Sequence, residues 1–446
     1  METHRLPAFL NDVPTEPGTL ALTGGTIADL GDGRPSRPRT ILVRDGRISA
    51  LATPDDGIPD EARVIDIAGR TVLPGLIDAH IHVSMLEDAG RAPVPARGAE
   101  PLRPGVMAHL VARTLRELLR YGVTTIRDVG AHDDVLFEAR QAVRYGAFAA
   151  PRILLCGRIV SATAPGARFF PEMYREADGP DDVRRAVREQ IRAGADFVKV
   201  MSTGARSVEL ENPLPAQLTA AEIDAFVDEA HRQTYRAAAH CEGLAGTELA
   251  IRAGIDTVEH GFHLHERPDL LDLMAARGTV LVPTLDFLHR VAEDGLWTAE
   301  LEHQGIGNLE HAQRTLDAAR AAGVTIGLGS DGVTPDGAAR ELVRLVEHGL
   351  SPRAALAAAT GGSATALGIE SAVGTLEPGQ LADVVAIDGD PLADLAVLAR
   401  PDRIALVLHN GVDVGGRLAD PGPPDVGPAQ AMTVATPSAR LGSSVA

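Results

Sequence analysis

The sequence has 446 residues, of which 45% are hydrophobic and 23% are charged, as is normal for a soluble globular protein. This length exceeds one ordinary core, so we expect one large domain and a smaller one. With 42 Lys and Arg against 61 Asp and Glu, the net charge of −19 argues against nucleic acid or an anionic membrane surface as a partner. We therefore expect a small-molecule or dipeptide substrate. The composition is also compatible with a homo-oligomer.

The cysteine content and the first residues bear on the compartment. Cys156 and Cys241 are too few for a disulfide framework, which fits a reducing environment. The opening stretch lacks a basic region followed by an apolar one, and no later run approaches 18 apolar residues. These features predict a cytoplasmic protein.

Both ends of the chain have a sequence pattern that is typical of short β-strands. Residues 1–17 show no periodicity and predict a loose arm. From residue 18 to 69, short β-like runs alternate with turn signals, and Asp45-Gly46 predicts a tight hairpin. The same pattern returns near the C-terminus, with Asn410-Gly411 as a second hairpin signal. We expect a small β-sandwich domain from residues 18–70 plus 374–417, followed by a disordered tail, residues 418–446.

The middle of the chain, residues 71–373, alternates apolar β-rich runs with segments of helical period, such as 180–194 and 219–234. The eight predicted strands are 72–82, 123–130, 152–157, 196–201, 236–243, 255–261, 279–285 and 324–332. This alternation predicts an α/β fold, a (β/α)₈ TIM-like barrel whose chemistry lies at the carboxyl ends of its strands. A doubly wound sheet would need a Gly-rich phosphate loop after the first strand, and the sequence has none there.

Polar residues with metal-binding side chains recur at the ends of these predicted strands. His80 and His82, in VLPGLIDAHIH, point to the same face because a strand has a period of two. Two neutral imidazoles at a strand end can share a metal ion such as zinc. The further candidates at strand ends or within strands are Lys199, His240, His260 and Asp331.

Lys199 lies between apolar neighbours in FVKVM, so its side chain should enter the barrel mouth from a buried strand. Burial of an unpaired ammonium is costly and lowers the pKa of the lysine. A neutral amine can react with carbon dioxide to form a carbamate, an anion that can bridge two metals. The alternative is a buried salt bridge to a nearby acid.

The motifs PGLIDAHIH, FVKV, AAAHCEG, TVEHG and GLGSDG, with ATGGSATALGI and GTLEPGQLADVVAID, resemble those of the amidohydrolase superfamily of metal-dependent hydrolases. The imidazolonepropionase-like and Xaa-Pro dipeptidase branch is the most similar. The resemblance covers about residues 18–415. One departure is Cys241-Glu242, where many relatives have a second histidine after the ligand.

The resemblance implies a site with two divalent metal ions, with zinc the expected metal. His80, His82 and Asp331 resemble the ligands of the more buried ion, and His240 and His260 those of the more exposed one. Lys199, as its carbamate, resembles the bridge. In this family a water between the ions attacks the substrate, so Asp331 is expected to take its proton and pass it to the leaving amine.

Weaker candidates for substrate contacts lie near the same strand ends. An arginine such as Arg127 or Arg206 could hold a substrate carboxylate, although each is more often part of a loop salt bridge. His263 and Tyr235 are further candidates. The His263/His265 pair is not counted as a metal site, because no apolar strand leads into it.

Three classes of function compete. The first is a binuclear hydrolase of an amide bond in a dipeptide or N-acyl amino acid, resembling a prolidase or carboxypeptidase. The second is a mononuclear ring-opening hydrolase or deaminase, which has no use for a bridging lysine. The third is a non-enzymatic metal-binding protein, which does not need Asp331 as a proton acceptor. A lactone or phosphotriester hydrolase remains possible on the first layout.

Overall fold

The structure is a computed structural model that describes residues 18–31, 37–53, 56–85, 102–170, 172–205, 211–293, 299–332 and 334–418. The predicted N-terminal arm and nearly all of the predicted tail lie outside the described residues. Within these ranges, none of the helices combines the length and the apolar character that crossing a membrane requires.

The described strands and helices alternate along most of the chain. The strands are β1 (Thr19–Ile27), β2 (Arg37–Arg44), β3 (Arg47–Ala52), β4 (Arg63–Asp66), β5 (Thr71–Pro74), β6 (Leu76–Ile81), β7 (Val123–Asp128), β8 (Arg152–Leu155), β9 (Ile159–Ser161), β10 (Tyr174–Glu176), β11 (Phe197–Met201), β12 (Arg236–Cys241), β13 (Thr257–His260), β14 (Val280–Val282), β15 (Val384–Ile387), β16 (Ile404–His409) and β17 (Val412–Gly415). The α-helices are α1 (Pro104–Arg120), α2 (Val135–Arg144), α3 (Gly166–Phe169), α4 (Pro180–Ala193), α5 (Ala220–Arg232), α6 (Leu244–Ala253), α7 (Pro268–Arg277), α8 (Leu285–Glu293), α9 (Ala299–Ala321), α10 (Gly337–Glu347), α11 (Pro352–Ala357) and α12 (Ser363–Leu367). Short 3₁₀ segments occur at Leu264–Glu266, Leu395–Ala399 and Pro401–Arg403, and a π-helical turn occurs at Ala358–Gly362.

Strands from both ends of the chain form one eight-stranded sheet. Its order is β17-β16-β15-β5-β1-β2-β3, with β4 parallel to β1, and the antiparallel pair β5/β15 joins the two ends. We expected a sandwich; among the described residues these strands pair into one sheet instead of two separately paired sheets. Their apolar side chains share one buried cluster, which explains why the two ends come together.

Both hairpin predictions are confirmed. Asp45 and Gly46 connect β2 to β3 with φ angles of 48° and 75°, and Asn410 and Gly411 connect β16 to β17 with φ angles of 52° and 78°. Consecutive positive φ angles are what a two-residue type I′ turn requires, and Asn, Asp and Gly adopt them at low cost. The two helices predicted from periodicity are confirmed as α4 and α5.

Parallel strands in the middle of the chain form two further sheets, β6-β7-β8 and β10-β9-β11-β12-β13-β14. The ladders do not close into one continuous barrel. The predicted eighth strand, 324–332, contains one isolated bridge, between Ile326 and Leu281. Its backbone nevertheless hydrogen-bonds to both neighbours, because Gly327 N donates to Leu281 O at 2.9 Å and Ala79 N donates to Leu328 O at 2.8 Å.

The predicted first strand, 72–82, is divided between two sheets. Its first part is β5 in the terminal sheet and its second part is β6, with Gly75 between them. Gly75 N donates to Asp383 O at 2.9 Å, which ties the junction to the terminal sheet. A Cβ at position 75 would lie 2.1 Å from Thr124 Oγ1, so a close approach requires glycine here.

We expect Gly75→Ala to destabilise the protein by about 1–3 kcal/mol, because the added methyl group overlaps Thr124 and the backbone is held by hydrogen bonds. Thermal unfolding measured by circular dichroism tests this. Gly105→Ala, in α1 with no atom within 4 Å of the added Cβ, is the matched control and should be neutral or stabilising. Equal melting temperatures for the two variants would contradict the close-approach explanation.

Candidate metal centre

The six residues predicted as metal ligands line one pocket. Four come from or directly follow the carboxyl ends of the parallel strands β6, β12 and β13. One lies in the middle of β11, and one follows the irregular segment 324–330. These residues are His80, His82, Lys199, His240, His260 and Asp331.

The rings of His80 and His82 are oriented by acceptors on their outer side. His80 Nδ1 lies 2.7 Å from Glu259 Oε2, and His82 Nδ1 lies 2.8 Å from Gly130 O. When each Nδ1 carries the proton, each Nε2 keeps a free lone pair. Both Nε2 atoms face Asp331 Oδ1, at 3.1 and 3.5 Å. Two imidazole nitrogens and a carboxylate oxygen therefore converge on one point.

His240 and His260 form a second pair of nitrogens in the pocket. His260 Nδ1 lies 2.7 Å from Thr284 Oγ1, and His240 Nε2 lies 3.2 Å from Gly204 O. Their other ring nitrogens, His240 Nδ1 and His260 Nε2, are 2.9 Å apart. This pair offers two further lone pairs beside the first group. Within this pocket, the ligand atoms of His80, His260 and Asp331 all lie within 4.8 Å of one another.

Asp331 is held against His80 by the backbone. Its N–H donates to His80 O at 2.8 Å, and its φ angle is +49°. The preceding Ser330 donates through N and Oγ to the buried carboxylate of Asp78, at 3.1 and 2.6 Å. A Cβ at Gly329 would lie 2.5 Å from His80 Cβ, so only glycine permits this close packing. The GLGSDG motif thus places the carboxylate directly beside the two histidines.

Lys199 is 2% exposed, and its Nζ has no hydrogen-bond partner among the described residues. Among the described residues no acid is hydrogen-bonded to this Nζ, although the charges of Glu259 and Asp331 act on it from a longer distance. Burial lowers the pKa of the Lys199 ammonium, which favours the neutral amine. Lys199 is also the only lysine in this 446-residue sequence, a signal that counting alone could have supplied.

Arg127 does not line the pocket, so the structure gives no support to the prediction that it holds a substrate carboxylate. It is 2% exposed, and its guanidinium donates to Ala79 O at 2.6 Å, to Thr257 Oγ1 at 3.2 Å and to Glu259 Oε1 at 2.8 Å. Burial opposes ionisation of Glu259, but the charges of Arg127 and Lys199 and the hydrogen bond with His80 together outweigh burial, and the pKa of this carboxyl is lowered. Arg127 and Glu259 thus orient the His80 ring from the side that faces away from Asp331.

Sequence reasoning missed Glu259, although it quoted the motif that contains it. A glutamate inside an apolar strand, next to a candidate ligand, is a signal that could have identified it, because a buried carboxylate needs partners. The other acceptors, Gly130 O and Thr284 Oγ1, come from different strand ends, and no local pattern marks them.

The remaining predicted contacts lie elsewhere. Tyr235 precedes β12, at the end opposite His240, and does not line the pocket. His263 also lies outside the lining; its Nδ1 is 3.2 Å from Glu266 Oε1. Arg206 lies outside the described residues. Cys241 is buried, and burial raises the pKa of its thiol to about 12, so it is not a nucleophile at neutral pH.

Most of the remaining pocket lining is apolar. The polar exceptions are Tyr174 and Glu242, whose carboxylate lies 3.3 Å from His240 Nε2. The apolar lining residues are Met85, Ile159, Phe170, Met173, Met201, Ala205, Phe262, Phe287 and Leu288. They come from β9, β11, α8 and several loops, which is why sequence reasoning did not assemble them.

The donor set fits divalent metal ions. Imidazole nitrogens and a carboxylate oxygen are the ligands that zinc and similar ions prefer. Each of the four rings has one nitrogen engaged by a neighbour on its outer side and the other directed into the pocket, as is usual for ligating histidines. The buried Lys199 amine adds a group that the protein itself leaves unpartnered.

The Amidohydrolase family matches residues 71–414, and the chain belongs to this family of hydrolases. The ochratoxinase of Aspergillus niger is 29% identical over 439 residues, covering 92% of this chain and 89% of that protein. The imidazolonepropionase of Salinispora arenicola is 28% identical over 421 residues, covering 87% and 95%. The crystal structure of a Xaa-Pro dipeptidase with bound methionine in its active site has a TM-score of 0.78 at 27% identity, covering 89% of this chain and 99% of that one. Such neighbours imply a TIM-barrel-like fold with an additional domain.

We expect Arg127→Met to cost about 3–5 kcal/mol of stability, because it leaves the ionised Glu259 buried without its partner. Denaturant unfolding monitored by fluorescence and circular dichroism measures this. Arg120→Met, which removes an exposed pair with Glu117, should cost less than about 1 kcal/mol. An Arg127→Met protein as stable as the Arg120→Met control would show that Glu259 does not depend on this guanidinium.

Proposed function

We propose that this protein is a binuclear metal-dependent hydrolase that cleaves an amide bond in a dipeptide or an N-acyl amino acid. The observation that carries the proposal is the buried, unpartnered Lys199 amine in the same pocket as four histidines and Asp331. A mononuclear hydrolase or deaminase has no use for a lysine at this position. The amidohydrolase relatives support the reaction class.

In this proposal Lys199 carries a carbamate. The neutral amine nitrogen attacks the carbon of carbon dioxide: one N–C bond forms, one C=O π bond becomes a C–O⁻ single bond, and the nitrogen releases one proton to water. The product carries one negative charge shared by two oxygens in place of a neutral amine, so it could serve as a bridging ligand between two cations. His80, His82 and Asp331 would hold one ion, and His240 and His260 would hold the other.

Asp331 is the proposed general base and acid. Bound divalent ions lower the pKa of a water and polarise a carbonyl oxygen. Burial opposes ionisation of Asp331, but its interactions with His80, His82 and His240 together outweigh burial and lower the pKa of Asp331. The carboxylate is therefore ionised at neutral pH, ready to accept the proton of the attacking water and to give it to the leaving amine.

The lining supports apolar groups beside the scissile amide. Eight of the 17 residues that line the pocket are methionine, phenylalanine, isoleucine or leucine, and removing their apolar surface from water against an apolar substrate group is favourable. Glu242 disfavours an anionic group at the side of His240. Arg206 remains the proposed partner for a substrate carboxylate. We therefore propose N-acyl amino acids and dipeptides with bulky apolar groups as substrates.

The architecture that we propose for this activity is a closed (β/α)₈ barrel over residues 71–373. A second domain consists of residues 18–70 and 374–417. Support for closure comes from the backbone hydrogen bonds of segment 324–332 to both β14 and β6, and from Asp196 N, which donates to Leu155 O at 2.7 Å between the two parallel sheets. Such a barrel brings all six ligand positions to one end.

Metal content and lysine chemistry test the bridge together. Because Lys199 is the only lysine of the sequence, a carbamate signal in ¹³C NMR after incubation with ¹³C-bicarbonate is assignable at once, with the N-terminal amine as the one competitor. Elemental analysis should give about two divalent ions per chain. Lys199→Met keeps the apolar volume but should abolish the signal, hold about one ion or fewer and lose most turnover. A folded Lys199→Met enzyme with both ions and a near-normal rate would disprove the bridge.

We expect Asp331→Asn to lower kcat by about 10²–10⁴-fold while much of the metal is retained, because the amide keeps the shape but cannot relay a proton. Asp133→Asn, an exposed carboxylate in the loop after β7, is the matched control and should leave the rate unchanged. Rates are measured on a panel of N-acyl amino acids, dipeptides and cyclic amides. If the enzyme hydrolysed only the cyclic amides of this panel, the proposed cleavage of dipeptides and N-acyl amino acids would be wrong, and ring opening would be the reaction.

A further inference from the structure

A second histidine cluster lies outside the pocket. His263 directly precedes the 3₁₀ segment Leu264–Glu266, and His311 lies on α9, which packs against that segment. A 3₁₀ helix has three residues per turn, so His263 and Glu266 lie on the same face. Their side chains meet, with His263 Nδ1 3.2 Å from Glu266 Oε1.

His311 completes the cluster from the helix side. Its Nδ1 lies 3.9 Å from Glu266 Oε1, and its ring centroid lies 4.2 Å from that of His263. His311 Nδ1 is buried and has no hydrogen-bond partner among the described residues. One ring nitrogen is therefore directed into the cluster without the partner that a buried polar atom needs.

The scaffold around the cluster is fixed. Thr315, one helical turn after His311, is buried; its hydroxyl donates to Phe262 O at 2.8 Å and accepts from His265 N at 3.1 Å. These bonds tie the loop to α9 on both sides of His263. The ligand atoms of His263, Glu266 and His311 all lie within 4.8 Å of one another. Ligands on one tetrahedral zinc ion are about 3.4 Å apart, given bonds of about 2.1 Å, so only a small adjustment is required.

We propose that His263, Glu266 and His311 form a second metal site, which binds one zinc-like divalent ion with two imidazole nitrogens and one carboxylate oxygen. The donor set is one that zinc accepts, and three protein ligands leave a position for water. This site is separate from the proposed catalytic centre and does not depend on it.

Occupancy of this site would act on the pocket through Phe262. Phe262 lines the pocket, and its ring centroid lies 5.7 Å from that of His260. His263 is the next residue, so an ion held between His263 and His311 clamps the loop that carries Phe262 to α9. The metal therefore stabilises one wall of the substrate pocket.

Zinc counting on the full-length protein tests the proposal. Wild type and His311→Ala are dialysed against the same micromolar free Zn²⁺ and analysed for zinc per chain. Catalytic ions are common to both proteins, so the difference counts only this site. We expect His311→Ala to hold about one zinc ion fewer, and zinc to raise the melting temperature of wild type more than that of the variant.

The matched control is His109→Ala, which removes an exposed histidine from α1 and should keep the zinc count of wild type. If His311→Ala does not fold, Glu266→Gln, an exposed position that tolerates the change, replaces it with the same expectation. Folded variants at positions 311 and 266 that hold as much zinc as wild type, with the same affinity, would overturn the second site. That result would not contradict the proposed catalytic centre, because the Lys199→Met variant tests the ions of that centre separately.

Discussion

The ion pair between Arg127 and Glu259 is the constraint on which the candidate metal centre depends. Both side chains are almost fully buried, and each compensates the charge of the other at a depth where an unpaired charge is costly. Glu259 has one oxygen on Arg127 and the other on His80 Nδ1. The pair therefore decides which nitrogen of His80 faces the pocket. The buried Arg127–Glu259 pair thus fixes the orientation of the His80 ring.

A second buried pair connects the site to the terminal sheet. Arg152, in β8, donates to Asp383 Oδ2 at 2.9 Å and to Asn410 Oδ1 at 2.6 Å, while Asp383 O accepts from Gly75 N. Because Gly75 is the junction between β5 and β6, the strand that carries His80 is attached to the sheet formed by both chain ends. The terminal sheet thus anchors one of the ligand-bearing strands in addition to covering the core.

Two ligand positions lie in the left-handed region of backbone conformation. His260 and Asp331 adopt positive φ angles, of 69° and 49°, a conformation that is uncommon outside glycine but that Asn, Asp and His accept more readily than other residues. Both residues sit at the point where a parallel strand turns into its loop. The hydrogen bonds of Asp331 N to His80 O and of His260 Nδ1 to Thr284 maintain these conformations. The result is a set of donors that is directed inward before any cation binds.

The sequence by itself determined the local features of this protein: the two hairpins at Asp45-Gly46 and Asn410-Gly411, the helices α4 and α5, and the positions of four candidate histidine ligands at or directly after strand ends. These follow from turn chemistry and from periodicity, which depend on neighbouring residues only. Tertiary structure decided the rest, because it depends on which distant residues meet. Arg127 was predicted to face substrate, yet it is buried against Glu259, 132 residues away along the chain. The division of the first strand at Gly75 was set by a close approach to Thr124, and His263 met its partner His311 only through the packing of α9. No periodicity encodes such contacts, since each is fixed by the shape and charge of a neighbour that the fold alone supplies.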